Sequence, residues 1–68
     1  MKKMFRMYML KQDVESFKQL ASLTGIKERN LEKKIVNPSM FRLYEIRALD
    51  EILHFSDEDM LKLVRETV

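Results

Sequence analysis

The charged side chains of one short segment, residues 26–36, are the most chemically suggestive feature of the sequence. Leu31 and Ile35 are four positions apart and therefore share one side of a helix. That spacing leaves four charged residues on the outside: Glu28, Arg29, Glu32 and Lys33. Guanidinium and ammonium groups bind phosphate oxygens, and carboxylates pair with cations. The segment therefore indicates an ionic binding surface, and the alternative is a solvated helix whose acids and bases pair four positions apart.

Residues that usually carry catalysis or bind metal ions are scarce. The sequence has no Cys and a single His, His54, near the end of a predicted helix. Asp57, Glu58 and Asp59 are consecutive and cannot converge on one side of a helix, so we interpret them as acids at a helix start. No glycine-rich phosphate loop and no nucleophile–base pair is visible. We therefore expect no enzyme activity, no metal site, no cofactor and no small-molecule substrate.

Bases and acids are unevenly distributed along the chain. Of 68 residues, 13 are Lys or Arg and 11 are Asp or Glu, which gives a net charge of +2. Residues 1–44 hold ten bases and four acids, or +6, whereas residues 45–68 hold three bases and seven acids, or −4. A basic half offers a surface to a polyanion, because Lys and Arg neutralise phosphates and release condensed counterions.

Length and composition predict one small domain over residues 1–68. A chain of this size buries only roughly 60% of its unfolded surface, and without Cys no disulfide can hold it together. No apolar run approaches the ~20 residues of a membrane span, and the chain does not start with an apolar signal segment. We therefore expect a cytoplasmic protein with no membrane partner.

The first half of the chain carries clear helix signals. Residues 1–12 are interpreted as a helix, although the apolar residues at 5, 7 and 9 also alternate as in a strand. Ser16 and Gln19 have the spacing of a capping box that begins the next helix, with Asp13 as an alternative cap. Gly25, the only glycine, predicts the end of that helix because its position requires a positive φ. The apolar residues expected to be buried along it are Phe17, Leu20, Ala21 and Leu23.

The second half predicts two further helices. Pro38 ends the helix of residues 26–36, since the residue before a proline is disfavoured in the α region. Residues 43–55 then show two apolar rows, with His54 in the last turn, and Ser56 has the character of a further N-cap. The apolar residues expected to be buried here are Leu43, Ile46, Leu49 and Leu53, then Tyr44, Ala48 and Ile52, and finally Met60, Leu61, Leu63 and Val64.

Residues 16–36 also have the organisation of a helix-turn-helix, two short helices joined by a turn that contains glycine. The run Leu20-Ala21-Ser22-Leu23-Thr24-Gly25-Ile26 resembles the L-A-x-x-T-G-[VI] core of Cro/cI-type (XRE) helix-turn-helix repressors. Residues 37–38 and 43–53 are similar to the later helix of that family, and the resemblance covers roughly residues 16–64. It implies an all-α, compact, lambda-repressor-like bundle of four or five helices that forms a homodimer on a two-fold symmetric operator.

The resemblance also implies roles for individual residues. The base-reading positions of the family fall on the start and outer side of the second helix of the unit, here Lys27, Glu28, Arg29, Glu32 and Lys33. Their chemistry suits these roles, because Arg and Lys bind guanine and Glu accepts a hydrogen bond from cytosine N4. The candidates for contacts with backbone phosphates are Lys11, Lys18, Lys34 and Arg42.

These observations predict a sequence-specific transcriptional regulator, a repressor by its resemblance, that inserts a helix at about residues 27–36 into the major groove of double-stranded DNA. The Met-rich start of the chain and the final helix are both candidates for the dimer contact. The alternative, motivated by Glu28 and Glu32, is a protein-interaction module of the same fold that binds another repressor, a toxin or a phage factor and does not bind DNA.

Overall fold

The computed structural model describes residues 1–67, which form five α-helices and no strand. This architecture confirms the expected all-α fold, a small helical bundle. No helix within those residues combines the length and apolarity needed to cross a membrane. The elements are α1 (Lys2–Lys11), α2 (Phe17–Thr24), α3 (Glu28–Val36), a 3-10 turn (Pro38–Met40), α4 (Leu43–Leu53) and α5 (Asp57–Thr67).

Phe5 of α1 lies at the centre of the core and is fully buried. Its ring stacks on Phe41 with centroids 6.1 Å apart and meets the edge of Phe55 at 5.5 Å. The ring of Tyr8 approaches Phe55 edge-on at 5.0 Å, so one aromatic cluster joins α1 to the two connections on either side of α4. Each remaining helix contributes fully buried aliphatic side chains to the same core: Leu20, Leu31, Ile35, Ile46, Leu49, Leu53 and Leu63.

The hydroxyl of Tyr8 fixes α1 to the start of α5. It donates a hydrogen bond to the carboxylate of Asp59 and accepts one from the backbone N–H of Ser56 at 3.1 Å. The Ser56 hydroxyl in turn caps α5 by accepting a hydrogen bond from the backbone N–H of Asp59 at 3.2 Å, as its sequence position predicts. Tyr8 is 5% exposed, and these hydrogen bonds satisfy its hydroxyl group inside the bundle.

The α2–α3 connection is fixed by capping at both ends of α2. Ser16 accepts a hydrogen bond from the backbone N–H of Gln19 at 3.1 Å, which confirms it as the N-cap. Gln19 bonds the backbone N–H of Glu15 rather than that of Ser16, so the predicted reciprocal box is displaced by one residue. Gly25 ends α2 with φ +79°, the left-handed conformation that its position predicts, and its N–H donates to the Ala21 carbonyl at 2.9 Å.

Four apolar residues expected in the core are exposed instead. Leu43 and Tyr44, in the first turn of α4, are both 68% exposed. The two apolar rows of α4 cover more of its circumference than the other helices bury. A helix rotates about 100° per residue, so a residue two positions from a buried one points to the opposite side. Tyr44 lies two positions from the buried Ile46, Leu23 lies two positions from Ala21, and Leu61 lies two positions from Leu63.

The end of α4 also differs from the prediction. The helix stops at Leu53, and His54 adopts a left-handed conformation with φ +54° beyond the last turn. Asp50 supports this ending, because its carbonyl accepts the N–H of His54 at 2.8 Å and its carboxylate accepts the N–H of Phe55 at 3.0 Å. His54 is therefore an exposed helix cap.

Gly25→Ala should lower the free energy of unfolding by about 1–2 kcal/mol, because a side chain with a Cβ is strained at this φ. No atom lies within 4 Å of the position the new methyl would take, so backbone strain alone causes the loss. Gly25→Asn should lose less, since Asn tolerates the left-handed region. Urea denaturation measures both, with the exposed Ser22→Ala as a control within about 0.5 kcal/mol of the wild type. Equal losses for Ala and Asn would contradict this cause.

Candidate functional site

α3 is held in the bundle by two side chains on one side of the helix. Leu31 is fully buried and Ile35 is 1% exposed, whereas Val36 at the end of the helix is 75% exposed. The charges along α3 suit its dipole, with Glu28 in the first turn and two lysines in the last turn. Because Leu31 and Ile35 point into the core, the sides of α3 that face away from the core and from α4 are available to solvent or to a ligand.

All five candidate base-reading residues are exposed, but α3 separates them onto different sides. Arg29 and Lys33 are four positions apart and lie on the side of α3 opposite the buried Leu31 and Ile35, near the exposed Val36. We call Arg29 and Lys33 the outermost row. Glu28 and Glu32 form a row on the flank that faces the end of α1 and the start of α2. Lys27 precedes the first turn and lies on the opposite flank, beside the start of α4.

Tyr44 is a functional candidate, although the apolar pattern of α4 predicts it to be buried. It is 68% exposed and lines a groove of about 240 Å³ together with Lys27 and Asn30. An exposed aromatic ring beside a lysine and an amide can stack on a planar group while the polar side chains bond its edge. No signal in the sequence separates it from the core, because Tyr44 continues the apolar row of Ala48 and Ile52. Only the burial of Ile46, about 200° away around α4, shows that Tyr44 points outward.

Lys34 does not have the exposed ammonium group expected of a phosphate contact. Its Nζ lies 2.6 Å from Oε2 of Glu45 on α4, and the two side chains are only 16% and 5% exposed. The other carboxylate oxygen of Glu45 accepts the backbone N–H of Arg42 at 2.8 Å, which caps the start of α4. The pair therefore joins α3 to α4, and the Lys34 ammonium group already has its partner within the protein.

The remaining candidate phosphate contacts are exposed but lie in different places. Lys18, in the first turn of α2, lines the same cleft as Glu28 and Glu32. Arg42 immediately precedes α4, close in sequence to Tyr44. Lys11 lies over the ring of Tyr8 at 5.3 Å and does not line that cleft. The structure thus places Lys18 beside α3. Lys11 lies instead over Tyr8, whose hydroxyl is hydrogen-bonded to the start of α5.

Within residues 1–67, no group of three or more His, Asp or Glu side chains is arranged to hold a metal ion. Comparison with known proteins gives no match to a family model, to a curated protein or to a solved structure. What the exposed charges of α3 can do is form salt bridges and hydrogen bonds with a ligand of matching charge and shape.

Glu45→Gln should lower the free energy of unfolding by about 1–2 kcal/mol, because it leaves the largely buried Lys34 ammonium group without its anion while the amide oxygen can still cap α4. Glu45→Ala should cost about 1 kcal/mol more, since the Arg42 N–H then loses its acceptor as well. Urea denaturation measures both changes, with Glu51→Gln, an exposed carboxylate of the same helix, as the matched control. If Glu51→Gln costs as much as Glu45→Gln, the ion pair does not stabilise the fold.

Proposed function

We propose that the protein is a sequence-specific transcriptional regulator that binds double-stranded DNA with α3 in the major groove. The observation that carries the proposal is the two-sided character of α3. Leu31 and Ile35 are buried, and Arg29 and Lys33 project from the outermost side. A helix held in this way presents fixed cations at the surface, and a major groove admits one α-helix.

The side chains of α3 have the chemistry needed to distinguish base pairs. Arg29 can donate two hydrogen bonds to O6 and N7 of guanine, and Lys33 or Lys27 can donate to guanine or to phosphate. Glu28 and Glu32 can accept from cytosine N4, but they repel the phosphates on either side of the groove. Affinity for arbitrary sequences is consequently low, and tight binding requires a sequence that matches these donors and acceptors.

Backbone phosphates are contacted from the elements on either side of α3. Lys18, at the start of α2, and Arg42, before α4, are exposed and supply these contacts, which position the domain without distinguishing sequences. Lys11 is also exposed and contacts the backbone at a greater distance from α3. We leave Lys34 out of this group because its ammonium group is paired with Glu45 at 2.6 Å.

The proposed regulator is a cytoplasmic homodimer, because one domain of this size covers too little DNA for useful specificity. Two candidate contact regions lie side by side in the structure. Met1, Met4 and Met7 of the first segment line a hollow of about 370 Å³ together with Lys62 of α5. Flexible Met side chains adapt to a second copy, so we propose this α1–α5 surface as the dimer contact. The dimer then recognises a roughly palindromic operator, and a repressor acts by occupying it.

Selection from random duplexes at about 100 mM salt should enrich one short, roughly palindromic sequence. Arg29→Ala should weaken binding to that sequence by roughly tenfold or more and relax the preference at one base pair, because a bidentate contact is lost. Lys18→Ala should weaken binding to all sequences alike and reduce the slope of log K against log salt by about 1. Fluorescence anisotropy at several salt concentrations measures both effects.

Arg47→Ala is the matched control for this experiment, because Arg47 is exposed on α4, lines none of the grooves described above, and its replacement removes the same charge. It should change affinity by less than about twofold, through the net charge alone. Enrichment of no sequence would refute specific recognition. A loss with Arg47→Ala equal to that with Arg29→Ala would refute the assignment of recognition to α3.

A further inference from the structure

The acids of the basic half of the chain are gathered in one place. Residues 1–44 contain four carboxylates, Asp13, Glu15, Glu28 and Glu32, and all four line one open cleft of about 730 Å³. We call this the acidic cleft. It lies between the end of α1, the connection from α1 to α2 and the flank of α3. The two cations that also line it are Arg6 and Lys18, so its net charge is −2 in a protein whose net charge is +2.

These carboxylates are not neutralised within the protein. Among residues 1–67 the structure gives one ion pair, between Lys34 and Glu45, and neither of these residues lines the acidic cleft. None of the four side chains accepts a hydrogen bond from that part of the chain. Arg6 lies over the ring of Phe17 at 5.8 Å instead. The cleft therefore offers four carboxylates to an incoming cation.

Apolar side chains line the same cleft between the carboxylates. Met9 and Val14 are buried at its base, Phe17 is half-buried, and Leu10 is 81% exposed. Leu10 is the most exposed large apolar residue among those that the structure describes. Covering it would remove apolar surface from water, which favours a partner with apolar side chains of its own.

We propose that the acidic cleft binds a cationic amphipathic helix of a partner protein. The apolar side of that helix covers Leu10 and Phe17, and its Lys or Arg side chains reach the carboxylates on the rim. Glu28 and Glu32 are one turn apart, about 6 Å along α3, which matches cations four positions apart on a helix running beside it. Helices bind apolar grooves in this way, with charges on the rim setting the choice of partner.

The composition of the cleft opposes two other ligands. A nucleic acid would bring phosphates against four carboxylates, and the repulsion is strong at low salt. A single metal ion is not favoured, since no three carboxylates are arranged to hold one within residues 1–67. A cationic helix satisfies both the charge and the apolar surface.

This inference does not rest on the proposed DNA binding, but the two surfaces meet on α3. Glu28 and Glu32 belong to the acidic cleft, whereas Arg29 and Lys33 belong to the outermost row of the same helix. A helix lying beside Glu28 and Glu32 occupies the place where a phosphate backbone would pass beside Lys18. If the protein binds DNA as proposed above, the partner therefore competes with the DNA.

The test uses the full chain and a labelled model peptide of about 14 residues, made of Leu and Lys with Leu spaced for one side of a helix. Fluorescence anisotropy should give a dissociation constant on the order of 10–100 μM at low salt. Glu28→Gln with Glu32→Gln should weaken binding by about fivefold to tenfold, and Leu10→Gln by about threefold or more. A peptide with Glu in place of Lys should not bind.

The matched controls make the same chemical changes outside the acidic cleft. Glu51→Gln with Glu66→Gln removes two exposed carboxylates from α4 and α5, and Leu61→Gln replaces a leucine that is 55% exposed. Both should leave the peptide affinity within about twofold of the wild type, and circular dichroism checks that every variant is folded. Amide shifts measured by NMR with the Leu–Lys peptide should be concentrated at residues 10–18 and 28–32.

The proposal is overturned if no binding occurs, if the control variants weaken binding as much as the cleft variants, or if the peptide with Glu binds equally well. Its failure is distinguishable from failure of DNA binding, because Glu28→Gln with Glu32→Gln should weaken peptide binding and strengthen binding to DNA of arbitrary sequence. Removing two negative charges beside the proposed phosphate path should strengthen binding to DNA of arbitrary sequence by several-fold. The preference for the selected operator should fall at the same time, because the proposed contacts with cytosine are lost. Peptide binding in a protein that binds no DNA would support the acidic cleft alone.

Discussion

Burial of Leu31 and Ile35 is the interaction on which the exposed surfaces of this protein depend. α3 is only nine residues long and mostly polar, and an isolated helix of that length is marginal in water. Its stability comes from tertiary contacts, and these two aliphatic side chains supply the buried ones. Once they are fixed in the core, helical geometry determines the direction of every other side chain of α3.

The buried row divides the charges of α3 into surfaces of different character. Arg29 and Lys33 point away from the bundle, whereas Glu28 and Glu32 face the start of α2 and join the carboxylates of the α1–α2 connection. An alternation of acids and bases in sequence thereby becomes a separation of charge in space. A protein with a net charge of only +2 can therefore present a cationic surface on one side of α3 and an anionic surface on the next.

Local signals in the sequence predicted the boundaries of the elements that position α3. Ser16, Gly25 and Pro38 act through the backbone of their immediate neighbours, so their effects can be derived from residue type and position. The exposure of Tyr44 and Leu61 was not predicted, because an apolar pattern shows which residues can be buried and the surrounding helices decide which are. In a bundle of this size each helix is covered on one side only, and several apolar residues remain outside.

The Lys34–Glu45 pair and the acidic cleft could not have been derived from the sequence for a related reason. Both unite residues from different helices, and their formation depends on how α3 crosses its neighbours. Lys34 had the composition of a phosphate contact, yet the approach of α4 gave it an internal partner at 2.6 Å. Charge type therefore predicts what a side chain can bind, while the packing of the helices decides which charges are available.

If both proposed surfaces are used, their ligands are linked by exclusion without any change in the fold, because the outermost row and the acidic cleft share α3. If a cationic helix beside Glu28 and Glu32 lowers the affinity for DNA by some factor, DNA must lower the affinity for that helix by the same factor. Two effects set the size of this factor. Steric overlap of the two ligands beside Lys18 makes it larger, and electrostatic attraction between the cationic partner and the phosphate backbone makes it smaller. The ligands compete only where the steric overlap is the stronger effect. Glu28 and Arg29 are adjacent on a helix that rises about 1.5 Å per residue, so we propose that a helix bound beside Glu28 extends into the space that DNA would need beside Arg29.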